Sequence, residues 1–386
     1  MIAFNKSLLE NTFLVAEAKE LKQKNFITKA DVDAIEKDLP TLKQQTNLLV
    51  RFGFFLLGSF LYSSIIGMFS MVFMQALDSY YEWVLFVNAI IGFAGCEFFS
   101  RVNFRNFGLD NAFVLGAQIA LIAAFGVMTE SFLVGFGVMS IIAIICCLRY
   151  VNAFSALMSC FGIIGFFCTL IIENKIIPML YLPFILFLLS TIFYFFYIKG
   201  RNMQSFIYYK NSLQMVQIFS LLLGYFSLNY LVVRELSVEL MNIVVSGAND
   251  IPFAFLFYGF TFIIPIIYII YALKSKDKIM LYIGFLTLCF SFFTIRYYYS
   301  IIPIEIALIL AGIILFALTY WSIKLLKNKE SGLTFKPDHG NNKNALSVAE
   351  LLIINSEINV NPVAPVEQNI NFGGGDFSGG GSSGSF

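Results

Sequence analysis

The sequence predicts an all-α fold: a bundle of about ten transmembrane helices, each needing about 20 apolar residues to cross the hydrocarbon core. Three observations carry that prediction. The 386-residue chain is 59% hydrophobic and only 13% charged, whereas soluble domains are about 45–50% apolar and about 25% charged. So little polar surface cannot cover a water-soluble globule. Charge is also sorted: residues 1–51 hold seven Lys, Arg51 and seven acids, and from Phe52 to Trp321 the chain is a train of apolar runs. Finally, the basic residues of the intervening loops alternate from one loop to the next.

Taken in order, the spans fall near 52–74, 83–99, 112–129, 131–148, 151–172, 176–198, 213–233, 252–273, 279–295 and 304–321. Between 112 and 172 only Glu130 and Arg149 interrupt the apolar run, so tight hairpins are expected at Thr129–Glu130 and Arg149–Tyr150. With both termini cytoplasmic, the inner loops hold Arg101, Arg105, Arg149, Lys199, Arg201, Lys210, Lys274, Lys276 and Lys278. The outer loops hold only Lys175, Arg234 and Arg296. Nine against three is the positive-inside pattern of a cell (inner) membrane protein. Tyr80, Tyr81 and Trp83, Tyr297 to Tyr299, and Tyr320 with Trp321 mark span ends as interfacial aromatics. Small residues at Ser59, Ser63 and Gly67, and at Ser155, Ser159, Gly162 and Gly165, read as helix-packing seams. All six Cys lie inside apolar runs and read as free buried thiols.

Three regions follow: a cytoplasmic helical hairpin over 1–50, the transmembrane bundle over 51–322, and a cytoplasmic tail over 323–386. Some fifty polar residues precede the first apolar run, so no cleavable signal peptide is expected and that run itself directs insertion. In the hairpin, Leu9, Phe13, Ala16 and Glu20 recur at helical spacing, Asn25 to Ile27 turn, and Thr28 with Asp31 fits a capping box. Val32, Ile35 and Leu39 line the second helix, which Pro40 closes. Two short helices bury little alone, so the pair is expected to dock on the membrane domain or on a protein partner. In the tail, Ser347 to Ile354 suits a short amphipathic turn. The glycine runs at 373–375 and 379–381 suit a flexible segment in which Phe372, Phe377 and Phe386 are spaced contacts for a partner.

The run LKQKNFITKADVDAIEKDLP (residues 21–40), followed by a long series of spans, resembles an uncharacterised bacterial membrane family named only as a domain of unknown function, DUF2157. Its members place an Ile-Thr or Ile-Ser start of a second helix before their spans, and Ile27 and Thr28 hold those positions here. The resemblance covers residues 8–75, with Asn25 where such proteins commonly have Gly. It implies an envelope protein and no particular activity.

Chemistry-bearing residues are few. Glu97 is an ionisable residue inside a span, which makes it a candidate site. Arg101 follows one turn later in the favourable order for a helix pair, so an interfacial salt bridge is the preferred reading over a transport or proton site. The amides Asn88, Gln118, Asn152, Gln214, Gln217 and Asn229 suit interhelical hydrogen bonds, and Gln214 with Gln217 on one face equally suits a lined cavity. Pro265 sits mid-span among Tyr258, Thr261 and Tyr268, where a kinked helix would line a carrier site or simply bend. The only His, His339, lies in the tail, which excludes a His base or His-ligated metal in the bundle. No HExxH, GxSxG, Walker A or GxGxxG pattern occurs between 52 and 321. No cofactor, metal or enzymatic activity is therefore expected, and the basic residues follow loop sidedness without forming a nucleic-acid stripe.

Three function classes remain: a carrier or channel for neutral or weakly polar solutes, a non-catalytic envelope scaffold or sensor, and, third, an intramembrane enzyme. A polar cavity among the second, seventh and eighth spans would mark the first. A solid bundle with an apolar groove would mark the second.

Overall fold

The computed structural model describes residues 2–23, 26–72, 74–175, 177–241 and 250–298, with scattered positions between 306 and 327. The described residues form α-helices in the order α1 (Lys6–Gln23), α2 (Lys29–Asp38), α3 (Leu48–Val72), α4 (Met74–Arg101), α5 (Leu109–Thr129), α6 (Phe132–Tyr150) and α7 (Ala153–Asn174). These are followed by α8 (Leu182–Arg201), α9 (Lys210–Leu228), α10 (Tyr230–Met241), α11 (Ala254–Ser275) and α12 (Lys278–Tyr298). Among the described residues eight helices are long and apolar enough to cross a membrane, and the pair α9 and α10, bent by 68°, makes a ninth if taken as one span. The chain is thus a multipass membrane protein built of helices. Of the ten expected spans, 304–321 lies mostly outside the described residues; the positions described there, such as Ile306, Ile313 and Trp321, are helical. The glycine-rich tail and the turn expected at Ser347 to Ile354 lie outside the described residues.

The long run from 112 to 172 divides as its two charges require. Glu130 caps α5 in the left-handed conformation (φ 48°) and Val151 does the same for α6 (φ 49°), leaving two-residue turns. Asn152 opens α7, its side-chain oxygen accepting from the Phe154 and Ser155 N–H groups (2.8 and 3.2 Å). The α7 seam is real: Ser155, Ser159 and Gly162 are buried, and a Cβ on Gly162 would stand 2.7 Å from the Ser140 backbone nitrogen. The expected α3 seam is not the one that packs. Gly58 and Tyr62 are buried there, whereas Ser63 and Gly67 are exposed. Tyr62 sets this rotation, its ring 5.3 Å from that of Phe113 and its hydroxyl donating to the Asn88 carbonyl at 3.0 Å. Burying an aromatic ring with its hydroxyl satisfied outweighs the close approach of two serines.

The N-terminal hairpin docks on one end of the bundle. Thr28 and Asp31 form the expected capping box, Lys19 pairs with Glu36 across the hairpin at 2.6 Å, and the Asn11 amide donates to the Pro40 carbonyl at 3.0 Å. Phe4, Leu9 and Leu42 bury themselves with Val151 against Tyr208 and Tyr209. The Ala3 N–H donates to the Arg149 carbonyl (2.8 Å), and Lys43 bridges the α4–α5 loop through Asn103 and Arg105 (2.8 and 3.0 Å). Tyr208 donates to Glu10 (2.8 Å), and Lys210 pairs with Glu17 and Glu20 (3.4 and 3.5 Å). These contacts hold Val151, a β-branched residue, in a backbone region that costs L-residues roughly 1–2 kcal/mol. They also fix relative sidedness: the N-terminus and the α4–α5, α6–α7 and α8–α9 loops share one end, called the near end below.

Helix α5 packs on α3, α4 and α6, α6 on α7, and α7 on α9. Helix α9 then sits at the centre of the second half, against α8, α10, α11 and α12. All six cysteines are free thiols; Cys96, Cys146 and Cys160 are buried as expected, whereas Cys147 and Cys168 are half-buried and Cys289 is exposed.

Candidate functional site

Helix α9 is the element with unusual chemistry, because its buried face carries a polar group at about each turn: Gln217, Ser220, Tyr225 and Asn229. A continuous span was expected over 213–233, and the structure corrects this: α9 stops at Leu228 and α10 starts at Tyr230. The cause is Asn229, fully buried, whose side-chain oxygen accepts from the Leu231 and Val232 N–H groups (3.0 and 3.3 Å) and so caps a new helix. The Tyr230 N–H, which a continuous helix would direct back along α9, donates instead to Thr261 Oγ1 on α11 (3.0 Å).

The Asn229 amide nitrogen donates to the Tyr225 hydroxyl (2.9 Å) and to Thr294 on α12 (3.1 Å). Tyr225 meets the Ser291 hydroxyl at 2.8 Å, and Ser291 in turn donates to the Thr261 carbonyl at 2.6 Å. Pro265 explains that last bond. Proline has no N–H to return to residue i−4, so the Thr261 carbonyl lacks its helical partner and Ser291 supplies one. Pro265 therefore frees the expected backbone carbonyl within a continuous α11, and that acceptor is turned to α12.

Toward the near end, Tyr268 donates to the Leu221 carbonyl (3.1 Å). Gly224 makes room there, since a Cβ on it would stand 2.9 Å from both the Tyr268 and Ser190 hydroxyl oxygens. One turn farther, Gln217, fully buried, donates to Asp277 Oδ2 at 2.6 Å, while Asp277 Oδ1 accepts from the Ile279 and Met280 N–H groups (3.0 and 3.2 Å) and caps α12. Gln217 Oε1 is buried with no hydrogen-bond donor among the described residues. A buried acceptor left open costs about 1–3 kcal/mol unless a water or ligand fills it.

The result is a seam of hydroxyls and amides between α9, α11 and α12, with one carboxylate at its near end. Thr294 lies four residues inside the end of α12 and Thr261 seven inside the start of α11, so the break is about 6–10 Å below the far ends at 1.5 Å per residue. Helix α10, with twelve residues bent 68° away, regains about 7 Å of that depth. At the far end Tyr230 stacks on Tyr258 (3.8 Å) and donates to both Asp250 oxygens at 2.9 Å.

Of the five candidates from the sequence, Gln217, Pro265 and Tyr268 meet in this seam. Gln214 is half-buried and makes no side-chain hydrogen bond among the described residues. Glu97 belongs to the other half, because α4 packs on α3 and α5; a shared cavity among the second, seventh and eighth spans does not form. Its expected pairing is corrected as well. Glu97 Oε1 accepts from Arg149 Nε (2.6 Å) and the Tyr150 hydroxyl (2.8 Å) across to α6, while Arg101 one turn on makes no ion pair with it. Sequence reading missed Asp277 and the α12 hydroxyls. A signal existed: Thr287, Ser291 and Thr294 recur at helical spacing in an otherwise apolar run, and Asp277 stands where a helix cap belongs.

One cavity, of about 370 Å³, is apolar and lined by Phe226, Leu286, Thr287, Cys289, Phe290 and Phe293. A second, of about 180 Å³, is polar and lies at the near end between α8 and α11. No family model, no curated protein and no solved structure matches the chain.

Proposed function

We propose that the chain is a cell-membrane carrier or channel for a small neutral or weakly polar solute, moved along the seam between α9, α11 and α12. One observation supports this above the others: the central helix of the second half is broken at buried Asn229 and leaves an open acceptor at Gln217 below the break. Broken helices supply polar backbone and side-chain groups at membrane depth in carriers. The seam's single carboxylate is already engaged, which favours an uncharged solute over an ion. Cytoplasmic termini belong to the same proposal, supported by the excess of basic residues in the loops gathered at the near end. So does membership of the DUF2157-like group, supported by the capping box that Thr28 and Asp31 form. We read the chain as non-enzymatic.

The scaffold reading has its own support. The larger cavity is an apolar groove, and most seam groups bond to one another. Proteoliposomes separate the two. Shrinkage under gradients of glycerol, urea and acetamide is followed by light scattering for the wild-type chain, Gln217→Leu and protein-free vesicles. For at least one solute the wild-type rate is expected to exceed the protein-free rate by about tenfold, the effect of roughly 1.4 kcal/mol of barrier. Gln217→Leu is expected to remove that excess. Rates equal to those of empty vesicles for every solute, with monodisperse protein, would replace the carrier by the scaffold.

A further inference from the structure

The polar cavity at the near end meets the seam at Asp277 and has a chemistry of its own. It is lined by Tyr194, Tyr197 and Arg201 of α8, by Tyr271 and Ser275 of α11, and by Asp277. Arg201 ends one span and Ser275 ends another, so the cavity sits at headgroup level.

The Arg201 guanidinium has a single long bond, to the Tyr197 hydroxyl at 3.4 Å, and no carboxylate within ion-pair distance among the described residues. Most of its five donors are uncommitted. The one acid nearby is spoken for: Asp277 receives the Gln217 amide and the first N–H groups of α12, where the helix dipole offsets its charge. Lys199, Lys274 and Lys278 each stand within two residues of a lining residue in the chain, so basic groups outnumber acids in the lining and its immediate flanks. The Tyr271 hydroxyl can donate to a further oxygen, and so can that of Tyr194 by giving up a weak 3.7 Å bond to Met280 Sδ, whereas the Ser275 hydroxyl already donates to the Tyr271 carbonyl at 2.8 Å. Exposed apolar side chains continue below on both flanking helices, for example Phe195 (67% exposed) and Ile270 (62% exposed).

We infer that this cavity binds the phosphate of an anionic phospholipid headgroup. Arg201 supplies a planar fork matched to phosphate oxygens, the lysines supply long-range attraction of the kind that holds anionic lipids to basic sites, and the apolar flanks receive the acyl chains. A free phosphate ion shares the polar chemistry and lacks the chains. The inference rests on membrane insertion and not on the carrier reading.

Native mass spectrometry of the detergent-solubilised full chain tests it, with phosphatidylglycerol, phosphatidylcholine and inorganic phosphate as probes. Phosphatidylglycerol is expected to bind about tenfold more tightly than phosphatidylcholine, and Arg201→Gln to remove that preference, a difference of about 1.4 kcal/mol. Arg201→Lys, which keeps charge and loses the fork, is expected to fall between. Arg101→Gln removes a basic group at the near end of the other half and is expected to change nothing. Equal loss in Arg101→Gln and Arg201→Gln would reduce the effect to general surface charge and overturn the site. Displacement of the lipid by millimolar inorganic phosphate, or phosphate binding without lipid preference, would overturn the lipid assignment in favour of a soluble anion.

Discussion

Glu97 shows how far a single residue can be read from its neighbours. The sequence offers only the local partner Arg101, one helical turn away. The α5–α6 hairpin brings α6 beside α4, and Arg149 with Tyr150 then reach the same carboxylate oxygen. Arg149 is 42% and Glu97 34% exposed in this pair, so water screens much of the attraction. A Glu97→Gln and Arg149→Gln double-mutant cycle, read by thermal unfolding in detergent, is expected to give a coupling of about 0–1 kcal/mol. A coupling above about 2 kcal/mol would instead mark an enclosed, desolvated pair. Solute flux is expected to survive Glu97→Gln, since the residue lies outside the seam. Asn229 is the opposite case: its residue type suggests interhelical hydrogen bonding, which it does, but nothing local reveals that it also ends a helix.

Among the elements, those bounded by charges were legible and the one bounded by an amide was not. Glu130 and Arg149 punctuate a long apolar run, and the helices end within two residues of them. Residues 213–233 contain no such charge, so the run reads as one span. The break depends on tertiary partners, Thr261 and Thr294, that local pattern does not contain. Helix α2 was legible for a different reason, because capping chemistry is local. The Thr28 hydroxyl and N–H both donate to Asp31 Oδ2 (2.7 and 2.8 Å), and these bonds hold the Asp31 carboxyl below its ordinary value of 3.8. A lowered folded pKa contributes stability above the unfolded value of about 3.9 and loses it as pH falls through the folded value. Carboxyl-carbon NMR of the full chain is expected to give an Asp31 midpoint below 3.8, returning to the ordinary value in Thr28→Ala. That substitution is also expected to destabilise α2 by about 1 kcal/mol. An unchanged midpoint would mean the box does not persist in solution.

For the molecule as a whole, composition and loop charge foretold a multipass helical bundle, and docking of the N-terminal hairpin followed from its small size. The seam was legible only in part. Gln217, Pro265 and Tyr268 stand out as polar or helix-breaking residues in apolar runs, while Ser291 and Thr294 gain meaning only once α12 lies beside α9. What holds the account together is that α9 and α10 form one broken span, with α10 continuing toward the far end. Single cysteines at Lys210, Leu236, Asp250 and Lys278, labelled with a membrane-impermeant maleimide in intact cells and in inverted vesicles, test this directly, with the wild-type chain as baseline. Leu236 and Asp250 are expected to label from one side, and Lys210 and Lys278 from the other. Labelling of Leu236 or Asp250 from the same side as Lys210 would make the pair a re-entrant loop and contradict the broken span.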